Sequence, residues 1–124
     1  MTSEELKTRT KRFAIDVVKF CQDLKPTLAL NIFSKQLIRC ASSVGANYRA
    51  ACRAKSMADF INKLKIVEEE ADESIYFLEL IAELEPDVKS KTDVLIKEGN
   101  ELLSIVVSSI TTSKKKLSNQ KSKI

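Results

Sequence analysis

Five carboxylates crowd into six consecutive positions: Glu68, Glu69, Glu70, Asp72 and Glu73. Such density invites a metal site or a general-base pair. Successive residues of a helix, however, point about 100° apart, so these five cannot converge on one ion without ligands from elsewhere. Glu69 and Glu73 do share a face at i, i+4, as Glu79 and Glu83 do further on. The spacing favours a solvated or subunit-contacting acidic face. Cys21, Cys40 and Cys52 are odd in number, lack CxxC spacing and lie in apolar stretches. That pattern reads as buried small hydrophobes in a reducing compartment. Histidine is absent altogether. Its absence removes His-carboxylate metal sites, Cys-His and Ser-His nucleophile pairs, and the usual proton shuttle at neutral pH. The di-iron helical bundles, which need Glu-x-x-His, are excluded for the same reason. No Gly-rich phosphate loop or nucleophile elbow occurs. The expectation is a non-enzymatic protein without metal or cofactor.

The cations tell a second story. Arg9, Lys11, Arg12, Lys35, Arg39, Arg49, Arg53 and Lys55 form a basic set in the first half. Residues 1–55 hold eleven Lys/Arg against four Asp/Glu, whereas residues 56–113 hold five against thirteen. Five lysines in 114–124 supply the excess behind a net charge of +4. This polarised body differs from a uniformly basic nucleic-acid binder. Its halves look complementary, either within one bundle or between neighbouring subunits. Acidic residues of the cluster buried opposite Arg39, Arg49 or Arg53 would form ion pairs that give specificity more than affinity. Repeated around a ring, the basic set would make a belt whose phosphate binding is salt-sensitive and largely sequence-independent. Against base recognition, Trp is absent, only Tyr48 and Tyr76 carry phenols, and no helix-turn-helix is evident.

The elements that position these groups are legible from apolar spacing. Phe60, Leu64, Val67, Ala71, Ser74, Leu78 and Ile81 recur at 4, 3, 4, 3, 4, 3, the rhythm of a helix packed lengthwise on others. Helix 1 is expected from Ser3 to about Leu24, with Thr2 and Glu5 at capping-box spacing and Lys25-Pro26 as its stop. Helix 2 is expected from Asn31 or Ser34 to about Ala54, rich in small residues, with Gly45 marking a packing or turn requirement. In its seam Asn47 is expected to set register, since a buried amide must find a partner. Ser56 opens helix 3, which runs to Glu85 before Pro86. Helix 4 is expected to begin within Asp87–Asp93 and to end near Ser113, leaving 114–124 as a Lys/Ser-rich flexible tail. At 124 residues the chain holds one domain. Two Gly, two Pro and 6% aromatic content favour an all-α fold, an antiparallel up-down-up-down four-helix bundle over residues 1–113. No apolar leader follows Met1 and no run approaches about 18 apolar residues. A soluble cytoplasmic protein with no membrane contact is expected.

Two stretches carry a resemblance. One is Gln36-Leu37-Ile38-Arg39-Cys40-Ala41-Ser42-Ser43-Val44-Gly45-Ala46-Asn47-Tyr48-Arg49; the other is Ala58-Asp59-Phe60 through Glu73-Ser74. Together they resemble the bacterial four-helix bundle proteins named for open reading frames in intervening sequences of 23S rRNA genes. The resemblance covers roughly Phe13 to Ile110, and its order and spacing both agree. Many members carry Asn-Ile-Ala-Glu-Gly in helix 2 and Ala-Arg-Gly-Ser in helix 3. Here stand Asn47-Tyr48-Arg49-Ala50-Ala51 and Val67-Glu68-Glu69-Glu70, which looks like a charge-swapped branch. The resemblance implies a ring-shaped homopentamer. It also implies kinship with the accessory variability protein of diversity-generating retroelements, which pairs with a reverse transcriptase and binds nucleic acid. Two functions are therefore expected as alternatives. One is a homo-oligomeric scaffold, pentameric by resemblance, that presents a basic surface to RNA, DNA or a nucleic-acid-processing protein. The other is a protein–protein adaptor that never touches nucleic acid.

Overall fold

Local signals fix where each helix begins. The computed structural model describes residues 1–122. Helix α1 spans Ser3–Gln22, and its capping box is complete. The Thr2 hydroxyl accepts from the Glu5 N–H at 3.1 Å, and the Glu5 carboxylate accepts from the Thr2 N–H at 3.3 Å. Helix α2 spans Leu28–Cys52, so it starts earlier than Asn31 or Ser34. Pro26 ends the previous helix, and Thr27 at once supplies a cap by accepting from the Leu30 N–H at 3.2 Å. Helix α3 spans Met57–Leu84 behind Ser56, whose hydroxyl accepts from the Asp59 N–H at 3.1 Å. The reciprocal bond goes elsewhere: Asp59 accepts from the Lys55 N–H at 3.3 Å. Pro86–Val88 then form one 3-10 turn into helix α4, Lys89–Ser122.

The expected end of the last helix at Ser113 is corrected, because α4 continues to Ser122. No Gly or Pro interrupts residues 114–122, and Lys and Gln are good helix formers. Leu117, partly buried, also packs against the core. Lys123 and Ile124, the end of the expected tail, lie outside the described residues.

Consecutive helices pack side by side and α1 meets α4, while the backbones of the diagonal pairs lie farther apart. Cross-helix ion pairs give the directions: Arg39 with Glu73, Arg9 with Glu98, Lys25 with Glu85. This is an all-α, up-down-up-down four-helix bundle. The α3 seam behaves as its spacing demands, with Leu64, Val67, Ala71, Ser74, Leu78 and Ile81 buried and Phe60 packed at the margin. Small and polar residues enter the core where helices approach closely. Thr10 is buried opposite Gly45, where an added methyl would lie 3.3 Å from its hydroxyl. Gly99 plays the same part between α4 and α3, where an added methyl would lie 3.0 Å from the Ile75 side chain. The buried hydroxyls of Thr10, Ser74 and Thr92 donate to carbonyls of their own helices, so none is left without a partner.

Candidate functional site

The basic set does not act as one surface. Arg9, on α1, makes a two-pronged pair with Glu98 on α4 at 2.7 and 2.6 Å and also reaches Glu101. Those carboxylates, with the Glu98 hydrogen bond foremost, hold the guanidinium more firmly in its charged form. Arg39, on α2, bridges to Glu73 at 2.9 Å and Glu70 at 3.2 Å on α3, and is stabilised as a cation chiefly by the Glu73 bond. Arg12 pairs along its own helix with Asp16 at 3.0 Å. For Lys11, Lys35, Arg49, Arg53 and Lys55, no carboxylate among the described residues comes within ion-pair distance. The complementarity of the two halves is thus met inside the bundle for Arg9 and Arg39.

The acidic cluster divides likewise. Glu70 and Glu73 turn towards α2 and Arg39. Glu68, Glu69 and Asp72 line an open groove between α3 and α4, together with Lys65, Leu103 and Val107. Two directions from one segment follow directly from the helical pitch. Among the described residues no group of three or more acidic or cysteine side chains is placed to hold a metal ion.

Asn47 is half-buried, and its amide donates to the Ser43 carbonyl at 2.9 Å within α2. The amide has its partner without crossing to another helix. Lys7, absent from the expected basic set, joins Lys11 and Arg49 around an open groove of about 470 Å³ between α1 and α2. Its floor is made of small residues, Ala14, Ser42, Gly45 and Ala46. The i, i+4 spacing of Lys7 and Lys11 was the available signal. Lys7 also holds Glu4 at 3.0 Å.

The thiols depart from expectation in one case. Cys21 and Cys40 are buried, but Cys52 is exposed at the last position of α2. Helix ends unwind away from the core, so apolar neighbours in sequence do not guarantee cover there. Burial pushes the Cys40 thiol up, and the nearby Ser74 hydroxyl, its oxygen 3.2 Å from the sulfur, partly offsets this. No described helix is long and apolar enough to cross a membrane.

Comparison with known proteins fits this architecture. The family model of the 23S rRNA-intervening sequence protein matches residues 4–108. A crystal structure of a protein of unknown function from the S23 ribosomal protein family of Bacteroides thetaiotaomicron VPI-5482 is 33% identical to this chain. It superposes with a TM-score of 0.81, and the match covers 90% of this chain and 99% of that one. A comparison with curated proteins gave no match. With its helices in the expected order and the family match running from the first turn of α1 deep into α4, the chain belongs to the 23S rRNA-intervening sequence protein family.

Proposed function

We propose that the protein is a non-catalytic homo-oligomeric scaffold that offers a basic surface to nucleic acid or to a nucleic-acid-processing protein. One observation carries this reading: the charges left over after intrachain pairing are segregated. Between the α1–α2 half and α3 the surplus divides by sign: Lys11, Lys19, Lys35, Arg49, Arg53 and Lys55 keep no carboxylate partner among the described residues, whereas α3 keeps Glu68, Glu69, Asp72, Glu79 and Glu83 against Lys65, and α4 adds further unpaired lysines. Segregated surplus charge favours head-to-tail contact between copies, and such contacts close into rings where the rotation permits. The five-fold count rests on the family resemblance alone. In a ring the Lys7–Lys11 edge of the α1–α2 groove would recur once per subunit and form the belt that meets phosphate.

Solution mass by light scattering, run with and without a short RNA across a salt series, tests the reading. A multiple of 13.9 kDa near five, with RNA co-migration that falls steeply with salt, is the expected result. An assembled protein that ignores RNA at every salt would favour the adaptor reading. A monomer that ignores RNA would remove both.

A further inference from the structure

Helix α2 carries a second seam, and it faces outward. Leu28, Ile32, Lys35 and Arg39 begin a row spaced 4, 3 and 4. Ser42, Ala46, Arg49 and Arg53 continue it at 3, 4, 3 and 4, and every member is exposed. A 4-3 row is the pattern of a helix that packs lengthwise on another, yet apart from the Arg39 ion pairs to α3 no helix among the described residues covers this one. Leu28 is 79% exposed and Ile32 49%. The middle of the row is small, which lets a facing helix approach closely.

Helix α3 presents a matching row. Ile66, Glu69, Glu73, Tyr76, Leu80 and Glu83 recur at 3, 4, 3, 4, 3, with Leu84 one turn beyond Leu80. Tyr76 is 57% and Leu84 54% exposed. Beyond the Arg39–Glu73 pair that joins them within one copy, the first row keeps Lys35, Arg49 and Arg53 and the second Glu69 and Glu83. Leu28 and Ile32 gather at one end of the first, and Tyr76, Leu80 and Leu84 at one end of the second, with Ile66 standing apart. On α2 that end is the N-terminus; on α3 it is the C-terminus.

We propose that the α2 row of one copy seats antiparallel on the α3 row of the next, an interface that rests on the homo-oligomeric reading above. Three features select this occupant. Antiparallel seating puts Leu28 and Ile32 against Tyr76, Leu80 and Leu84, and places Arg49 and Arg53 towards Ile66 and Glu69. Parallel seating would set the apolar end of each helix on the charged end of the other. Packing α2 on α2 would oppose like charges at Lys35, Arg39, Arg49 and Arg53 in a parallel pair, and would set Leu28 and Ile32 on Arg49 and Arg53 in an antiparallel one. Direction also follows from symmetry. A rotation about an axis parallel to the bundle preserves helix direction, and α2 and α3 already run oppositely. They occupy neighbouring corners of the bundle, so their outward faces diverge by roughly a right angle, the divergence of a small closed ring.

Two variants test the surface, Leu28→Asp/Ile32→Asp on α2 and Tyr76→Asp/Leu84→Asp on α3. All four side chains are about half exposed or more, so helical content by circular dichroism should be retained. Each variant alone is expected to run at monomer mass. Mixed one to one, they are expected to form a heterodimer and nothing larger, because the pair retains one intact α2 row and one intact α3 row. Wild-type mass for either variant, or a mixture that stays monomeric, would overturn this interface. A wild-type protein that is itself monomeric would overturn the homo-oligomeric reading along with it.

Discussion

Cys21 and Cys40 sit in the packed interior, and burial raises both thiols above their ordinary range. Cys52, one turn after Tyr48, opens to solvent. A thiolate is the reactive species, so burial protects twice, by blocking access and by keeping the proton on. Titration of the native protein with a chromogenic disulfide at pH 8 should therefore show one thiol of the three reacting within minutes. The other two should react only in denaturant, and Cys52→Ser should abolish the fast phase. Rapid reaction of all three would contradict the packing of α1 and α2 around Cys21 and Cys40. Similar reasoning explains why residue type alone could not sort the cations. Arg9 and Arg39 are neutralised by carboxylates 89 and 34 positions away, distances along the chain that no local pattern encodes.

Helix α4 is the element whose extent departs most from expectation. Its core-facing positions Leu95, Gly99, Leu102, Val106 and Ile110 are buried, and the stripe then passes through Ser113 to Leu117. Polar composition suggested fraying after Ser113. Yet the stripe needs only one apolar residue at the right turn to keep the helix docked, and Leu117 stands there. Deleting residues from Lys114 onward removes that contact and should lower stability by about 1–2 kcal/mol. Deleting only from Ser118 onward should change it by less than about 0.5 kcal/mol. Urea unfolding of the two truncations checks this, and equal stability would show that Leu117 contributes nothing. The start of α2 was missed for the opposite reason, because Thr27 caps as soon as Pro26 has ended the loop, ahead of the first buried residue, Leu30.

The whole bundle should be sensitive to alkali. Burial, with Cys52 alongside, raises the Tyr48 phenol far above its ordinary value of 10.0, and burial also raises Cys21 and Cys40 above 9.0. All three groups stay protonated in the folded chain. In the unfolded chain they ionise in their ordinary range, so above about pH 8.5 the unfolded state holds fewer protons than the folded one. Unfolding free energy should be level from pH 7 to 8 and decline as pH rises beyond, towards the raised folded values. Tyr48→Phe should flatten the part of that decline nearest pH 10 and above. Denaturant titrations across this range decide the matter; a pH-independent wild type, or a decline unchanged in Tyr48→Phe, would refute the assignment.

Period and punctuation carried most of the architecture. The 4-3 rhythm in all four segments, the capping box at Thr2 and the breaks at Pro26 and Pro86 are local properties, readable because a helix repeats every few residues. The inward seams were legible for that reason, and so was the polarised charge. Which charges remain unpaired was not, since Arg9–Glu98 and Arg39–Glu73 exist only once α1 meets α4 and α2 meets α3. Nor could spacing alone distinguish the covered seam of α2 from its exposed one. Both repeat at 4 and 3, and burial is a property of what stands opposite a helix face, which the chain acquires only when its helices are assembled.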